Sequence, residues 1–100
     1  MENEINLEEI ITHGALIVDV RTAGEYKNGH IDGSLNIPLN KIEDAMSWLI
    51  KDVPVVVVCE SGSRSAVAEK ILKANGYEEV YNGGSWDSLG NIKAGGCPIK

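Results

Sequence analysis

Apolar runs of strand length alternate along the chain with segments in which apolar residues recur at helical spacing. Residues 15–20 and 55–58 are almost entirely apolar, which is typical of strands covered on both faces of a sheet. A weaker strand is predicted at residues 34–37, where Pro38 ends it, and a short one at 79–81. The alternation predicts an α/β fold with a parallel sheet and right-handed crossovers.

The segments between these strands carry helix signals. Asn6 followed three residues later by Glu9 is similar to a capping box, so a short helix is expected to begin there and to end near Gly14. The remaining expectations, in chain order, are helices at residues 22–27, 40–50, 64–75 and 85–90, with a turn at 82–84.

Length and charge narrow the class of protein. One hundred residues are enough for one modest core, so residues 1–100 are expected to form a single domain. A net charge of −6 argues against nucleic acid and against an acidic membrane surface as partners. No segment approaches the length of a membrane span, and the first residues have neither the basic nor the apolar region of a signal peptide. The expected location is therefore the cytoplasm.

The chain has two cysteines, Cys59 and Cys97. They are too few for a disulfide framework and do not have the spacing of metal ligands, so we expect neither a metal nor a cofactor. A cytosolic cysteine outside those patterns is a candidate nucleophile. Cys97 follows two glycines in the C-terminal segment, where it is either incidental or a resolving thiol.

Cys59 stands where the apolar run 55–58 ends, and a loop of small residues leads from it into the helix predicted at 64–75. The first turn of a helix has unpaired backbone N–H groups and the positive end of the helix dipole. Such a setting lowers the pKa of a thiol and favours the thiolate, which is the form that attacks. Gly62 supplies the backbone freedom that a tight loop requires. We therefore predict that Cys59 is catalytic and that residues 60–65 surround it.

Within this loop the individual roles differ. Arg64 is a cation at a helix start, where the dipole disfavours it, so an anionic ligand explains it better than the helix does. Ser61 and Ser65 are candidates to donate hydroxyl hydrogen bonds to the sulfur, and Ser63 is expected mainly to cap the helix. Glu60 directly follows the cysteine, and its charge is expected to repel an incoming anion.

Three charged residues follow the strand at 15–20. Asp19 and Arg21 lie at its end, and Glu25 comes four residues after Arg21. We expect them to form a local ion-pair network that supports the loop rather than takes part in chemistry, since structural networks of this kind are common.

Four other conspicuous side chains are expected to be structural. His30, in a turn, is predicted to be a hydrogen-bonded residue rather than an acid or base. Trp86, after two glycines, is predicted to be a packing anchor, and Met46 and Trp48 to lie in the core or at its rim.

The motifs and their order resemble those of the rhodanese-like family. The resemblance covers about residues 7–90 and is carried by Asp19-Val20-Arg21, Glu25-Tyr26, the segment Gly29 to Ser34, Asn36-Ile37-Pro38, Cys59-x-x-Gly62-x-Arg64-Ser65 and Gly83-Gly84-x-Trp86. It implies a single-domain sulfurtransferase with a five-stranded parallel sheet flanked by helices. It also implies that Cys59 carries sulfane sulfur as a persulfide, taken from thiosulfate or a similar small anionic donor and passed to a thiol or cyanide.

Two alternatives to this function stay open. One is a persulfide relay whose acceptor is a partner protein. The other is a cysteine-dependent phosphatase or arsenate reductase, since related folds use a cysteine–arginine loop for oxyanions. Those enzymes have five residues between cysteine and arginine, whereas Cys59 and Arg64 enclose four, and Val58 stands where many such phosphatases have histidine. The smaller ring suits a sulfur atom better than a tetrahedral phosphate.

The resemblance also bears on the donor. Relatives that use mercaptopyruvate tend to lack the loop arginine, so Arg64 implies an inorganic donor. Relatives that use thiosulfate often carry a basic residue directly after the cysteine, whereas this chain has Glu60. The two positions therefore give opposing indications about how efficiently thiosulfate is used.

Overall fold

A parallel four-stranded sheet forms the centre of the computed structural model, which describes residues 7–89. In chain order the strands are β1 (Leu16–Asp19), β2 (Leu35–Asn36), β3 (Val55–Cys59) and β4 (Val80–Ser85). Their spatial order is β2-β1-β3-β4, and all three pairings are parallel. The predicted parallel α/β architecture is confirmed.

The resemblance implies a sheet of five strands, but the sheet has four strands within residues 7–89. The four apolar segments singled out in the sequence each form a strand. The described segments between them have helical apolar spacing or turn residues, and they form helices and turns instead.

Among residues 7–89, four α-helices and two 3₁₀ turns precede, connect or follow the strands. The helices are α1 (Leu7–Thr12), α2 (Ala23–Lys27), α3 (Ile42–Ala45) and α4 (Ser63–Ala74), and the 3₁₀ turns are Leu39–Lys41 and Trp86–Leu89. Within residues 7–89, no helix is both long enough and apolar enough to cross a membrane.

The sheet has a separate layer of packed side chains on each face. Alternate residues of β3 point to opposite faces, so Val57 and Cys59 pack on the side of α3 and α4, while Val56 and Val58 pack on the side of α1. All five residues of β3 are fully buried, which explains why this strand is a continuous apolar run. The sulfur of Cys59 therefore lies on the face that α4 covers.

The helix predicted at residues 40–50 is shorter than expected. A 3₁₀ turn leads into α3, which ends at Ala45, and the chain then turns so that Leu49 is buried while Trp48 is 59% exposed. The backbone oxygen of Leu49 accepts a hydrogen bond from the Tyr77 hydroxyl, which fixes this turn. The prediction that Trp48 lies in the core or at its rim is wrong, because the early helix end changes which residues face inward. Met46 is partly buried against the core, as expected.

The turn predicted at residues 82–84 is wrong as well. These residues continue β4, which pairs with β3 as far as Cys59 and Ser85. Val57 pairs with Asn82 and Val58 with Gly84, so Gly83 is an extra residue in the ladder. This bulge is the reason that two adjacent glycines occur within a strand, and a 3₁₀ turn follows where a helix at 85–90 was predicted.

Candidate active site

The sulfur of Cys59 sits at the carboxyl end of β3, enclosed by the loop that leads into α4. The residue is completely buried. The backbone N–H groups of Gly62 and Ser65 donate to the sulfur at 2.9 and 3.4 Å, and the thiol lies 3.5 Å from the Ser65 hydroxyl oxygen. The structure therefore places a cysteine in a ring of hydrogen-bond donors, as the sequence predicts for Cys59.

The sulfur occupies the place that a capping side chain usually takes. Helix α4 begins at Ser63, so Gly62 is the cap residue, with φ of +101° and no side chain to accept a bond. Ser65 is the third helical residue, and its N–H, which a capping oxygen would ordinarily accept, bonds the sulfur of Cys59 instead. The prediction that Ser63 caps the helix is wrong for this reason. Its hydroxyl lies 3.3 Å from that of Ser61, and both residues are exposed.

The environment of Cys59 lowers the pKa of its thiol. Burial by itself raises that pKa, because a buried thiolate loses its water. Hydrogen bonds from the Ser65 hydroxyl and from the N–H groups of Ser65, Gly62 and Ser61 outweigh the effect of burial, since they stabilise the charged form. The site therefore favours the nucleophilic thiolate.

Asn82 of β4 holds this arrangement from the side, a role that sequence reasoning missed. Its Oδ1 accepts hydrogen bonds from the Ser65 hydroxyl at 2.6 Å and from the Gly84 N–H at 2.9 Å. Its Nδ2 donates to the Gly62 carbonyl at 3.1 Å. An asparagine directly before Gly83-Gly84 was the available signal, but it was interpreted as part of a turn instead of a bulged strand.

Arg64 forms a two-point ion pair with Glu25 across the mouth of the site. The guanidinium nitrogens lie 2.9 and 3.1 Å from the two carboxylate oxygens, and both side chains are about one-third exposed. Glu25 also accepts a bond from the Thr22 N–H, which completes the capping box of α2. Hydrogen bonds from Arg64 and then from Thr22 lower the pKa of Glu25 to about 2, and the same carboxylate raises the pKa of Arg64.

Asp19 and Arg21 form a buried ion pair at the end of β1. Their closest contact is 2.7 Å, and Arg21 also donates to the Gly29 carbonyl at 2.7 Å and lies 4.6 Å from the centre of the Trp86 ring. The contacts with Asp19 raise the pKa of Arg21. Trp86 is a packing anchor here, as predicted: a Cβ placed on Gly29 would lie 3.0 Å from its ring.

The predicted network of Asp19, Arg21 and Glu25 is only partly present. Arg21 pairs with Asp19, but it reaches Glu25 through that residue's backbone oxygen at 3.4 Å, while the Glu25 carboxylate pairs with Arg64. The geometry of α2 explains the difference, because Glu25 is turned back to the cap at Thr22 and faces the loop. Arg21 instead lies 3.6 Å from the exposed carboxylate of Glu60.

Two cavities adjoin the loop. One of about 250 Å³ is lined by Arg21, Glu25, Asn28, Glu60 and Trp86. A more apolar groove of about 440 Å³ is lined by Val20, Thr22, Pro38, Leu39, Asn40 and Arg64. Glu60 therefore lines one cavity and Arg64 the other, so each of these two charged side chains adjoins space for a small molecule.

The other candidate residues lie outside this arrangement. His30 stacks on Tyr26 with ring centres 3.9 Å apart, and its Nδ1 is 2.9 Å from the Tyr26 carbonyl oxygen, so it is hydrogen bonded within its own turn. Cys97 is outside the described residues. Among residues 7–89, no three or more His, Cys, Asp or Glu side chains are grouped so that they could hold a metal ion.

A buried thiol ringed by backbone donors, at the carboxyl edge of a parallel sheet, defines a cysteine-based α/β protein. The sequence matches the profile described as Rhodanese-like domain over residues 4–88. The chain therefore belongs to the rhodanese-like family.

Relatives with similar sequences include sulfurtransferases. The chain is 39% identical to a sulfurtransferase of Allochromatium vinosum over 82% of this chain and 81% of that protein. It is 32% identical to thiosulfate sulfurtransferase PspE of Escherichia coli over 79% of this chain and 78% of that protein. It is also 39% identical to the uncharacterized protein YqhL of Bacillus subtilis, over 80% of this chain, but it spans only 65% of that longer relative.

A solved structure supports the same assignment. The structure of an E. coli rhodanese with anions superposes with a TM-score of 0.66, at 33% identity, over 74% of this chain and 89% of that one. The fold that carries the Cys59 loop is therefore the rhodanese-like α/β fold.

Proposed function

We propose that this chain is a thiosulfate sulfurtransferase-like enzyme in which Cys59 carries sulfur as a persulfide. The observation that carries the proposal is the pair of backbone donors around the buried Cys59 sulfur, the N–H groups of Gly62 and Ser65, with the Ser65 hydroxyl oxygen 3.5 Å away. In this proposal residues 1–100 form a single domain, with its motif-bearing core at about residues 7–90, that works in the cytoplasm and needs no cofactor.

In the first half-reaction the Cys59 thiolate attacks the outer sulfur of thiosulfate. A new S–S bond forms at Cys59, and the S–S bond of thiosulfate breaks with its electron pair leaving on sulfite. Thiosulfate and thiolate bring three negative charges, and sulfite and the deprotonated persulfide carry three away, so no proton or electron is needed from elsewhere. The donors of Gly62 and Ser65 stabilise the anionic sulfur throughout.

In the second half-reaction a nucleophile takes the outer sulfur. Cyanide attacks it and leaves as thiocyanate, while the S–S electron pair returns to Cys59 as the thiolate. A thiolate acceptor reacts in the same way and leaves as a persulfide. The lowered pKa of Cys59 makes it a good leaving group in this step.

Arg64 supplies the positive charge that an anionic donor needs. Its guanidinium is one-third exposed and its only charged partner within 4 Å among the described residues is Glu25. A doubly charged donor competes with the single charge of Glu25 for this guanidinium, since two-point binding of an oxyanion repeats the geometry of the carboxylate contact. Glu60 opposes the same donor, although Arg21 lies 3.6 Å from its carboxylate and reduces its effect.

A relay to a partner protein is the second candidate function. Glu60, Ser61 and Ser63 are exposed, so the loop lies at the surface, where a cysteine of another protein can approach the persulfide. The chemistry at Cys59 is the same in both cases. The enzyme and the relay differ in whether the isolated protein transfers sulfur efficiently to cyanide and to small thiols.

Intact mass after incubation with thiosulfate tests the proposal. The protein should gain one sulfur atom, and cyanide should remove it and produce thiocyanate. The Cys59→Ser variant should show neither the added mass nor the activity, whereas Cys97→Ser should show both. Full activity in Cys59→Ser would overturn the mechanism. Sulfur loading without turnover of cyanide or small thiols would favour the relay.

A further inference from the structure

We propose that Asn82 is a positioning residue for Cys59 and acts through the single hydroxyl proton of Ser65. The inference deepens the proposed function, since its meaning for catalysis rests on Cys59 being the attacking thiolate. Asn82 lies on β4, whereas Cys59 and Ser65 belong to β3 and α4. The contact therefore ties together the three elements that meet at the site.

The Ser65 hydroxyl faces three groups that compete for one proton. Its oxygen is 2.6 Å from Asn82 Oδ1, 3.1 Å from the Gly62 carbonyl oxygen and 3.5 Å from the Cys59 sulfur. The shortest of these contacts is the one with Asn82, so the proton of the hydroxyl points to Asn82 while Cys59 is a thiol. The oxygen of Ser65 then accepts from the thiol S–H.

The orientation of the Asn82 amide is set by its other two contacts. The Gly84 N–H, 2.9 Å away, requires an oxygen opposite it, and the Gly62 carbonyl, 3.1 Å away, requires an N–H. Asn82 therefore presents an acceptor to Ser65, and it also supplies the Gly62 carbonyl with a donor other than Ser65. The contact of Ser65 with Oδ1 draws the Ser65 proton away from the sulfur, and the contact of Nδ2 with the Gly62 carbonyl holds the amide in the orientation that this requires.

Ionisation of Cys59 changes which acceptors compete for the Ser65 hydroxyl proton. A thiolate is a charged acceptor, and the Ser65 hydroxyl can bond to it only by turning away from Asn82. Asn82 therefore opposes this one bond, while the N–H groups of Gly62 and Ser65 keep the sulfur charged. A thiolate whose bond from the Ser65 hydroxyl is weakened by this competition is more basic and so a stronger nucleophile, because nucleophilicity rises with thiol pKa.

The charged groups near the sulfur are not altered by a substitution at Asn82. They are Glu60 of the loop, Arg64 of α4, Arg21 with Asp19 at the end of β1, Glu25 of α2 and Asp87, which is hydrogen bonded to Ser85 after β4. Residues 80–85 of β4 contain no charged side chain. A change at Asn82 to an uncharged residue therefore leaves every charged side chain near the sulfur unchanged.

The experiment is a titration of the thiolate by its ultraviolet absorbance, in a Cys97→Ser parent so that one thiol is observed. Asn82→Ala should lower the pKa of Cys59 by about half a unit to one unit, since the hydrogen bond from the Ser65 hydroxyl to the thiolate no longer competes with Asn82. Asn82→Asp keeps the acceptor oxygen and adds a negative charge, so it should raise that pKa. Thermal unfolding of each variant checks that the fold is retained.

A double-variant cycle separates this mechanism from simple support of the loop. In a Ser65→Ala background, Asn82→Ala should leave the pKa of Cys59 unchanged, because no hydroxyl proton remains to be released. An unchanged or raised pKa in Asn82→Ala alone would overturn the proposal, as would an equal decrease with and without Ser65. The titration uses no sulfur donor. If thiosulfate fails to load Cys59 although the pKa shifts as expected, the sulfurtransferase proposal fails and the role of Asn82 stands.

Discussion

Two arginine–carboxylate pairs lie beside the Cys59 loop, and they differ most in their exposure to water. Arg21 and Asp19 are almost fully buried, with side chains 3% and 0% exposed, whereas Arg64 and Glu25 are 34% and 37% exposed. Both pairs have short contacts, of 2.7 and 2.9 Å. The geometry of the contact alone therefore does not distinguish them.

Because they differ in burial, the two ion pairs have different roles. A buried pair cannot lose one member without leaving an unpaired charge in the interior, so Arg21 and Asp19 are committed to the structure. An exposed pair contributes little to stability and exchanges partners readily, because water and salt stabilise either ion alone. In the proposed function, Arg64 is therefore the arginine that exchanges its carboxylate partner for an anionic donor.

The largest expected effect is on folding, from Arg21→Leu. This change leaves the Asp19 carboxylate buried without its partner and also removes the contacts with Gly29 and Trp86. We expect the free energy of unfolding to fall by about 3–5 kcal/mol in urea titrations. Arg64→Ala should change it far less, because its partner is exposed.

A second substitution identifies the cause of that loss. Replacing both members of the pair, Asp19→Leu with Arg21→Leu, removes the unpaired charge and should recover a large part of the stability. If the double variant is no more stable than Arg21→Leu alone, the loss comes from the contacts of Arg21 with Gly29 and Trp86.

The next effect is on activity, from Arg64→Ala. Loss of a charge-assisted contact with the donor costs roughly 1.5–3 kcal/mol, so kcat/KM for thiosulfate should fall by about one to two powers of ten. Steady-state thiosulfate:cyanide assays measure it. Lys73, on the same helix and paired with Glu69 at 3.0 Å, gives the matched control, and Lys73→Ala should have little effect. Equal kcat/KM in Arg64→Ala and the parent would mean that Arg64 does not bind the donor.

Substitutions of Glu60 test whether its negative charge lowers the kcat/KM for thiosulfate. Two like charges roughly 6 Å apart repel by about 1 kcal/mol when exposure to water is included, so Glu60→Gln should raise kcat/KM for thiosulfate severalfold. Glu60→Lys should raise it further, and added salt should shrink both gains. Glu69→Gln removes a carboxylate that pairs with Lys73 elsewhere on α4 and serves as control. A decrease in Glu60→Lys would show that the repulsion is absent.

The smallest effect is a pH dependence of stability that the exposed pair produces. The pKa of Glu25 in the folded protein is lowered from 4.5 to about 2. Its stabilising contribution is therefore complete above a pH of about 4.5 and is lost as the pH falls through about 2. The difference in unfolding free energy between the parent and Glu25→Gln should narrow between about pH 5 and pH 3. A difference that stays constant over this range would mean that Glu25 is not stabilised as an ion by the fold.

Features that depend on neighbouring residues were predictable from the sequence. The apolar runs at 15–20 and 55–58 became β1 and β3, because burial on both faces selects such runs. The position of Cys59 at the end of β3, shortly before α4, followed from the same local pattern. The failures were local as well: the helix after Asn40 ended early at Ala45, and Asn82 proved to lie in a bulged strand.

The class of fold and the candidate nucleophile were therefore readable from the chain alone, since a strand, a short loop and a helix start lie in one continuous stretch around Cys59. The tertiary structure alone decided the partners. Glu25 meets Arg64 across 39 positions, and Asn82 meets Ser65 across 17. These contacts exist because the order β2-β1-β3-β4 brings the carboxyl ends of separate strands to one edge of the sheet. Sequence spacing does not record that order, so these two pairings could be found only in the folded protein.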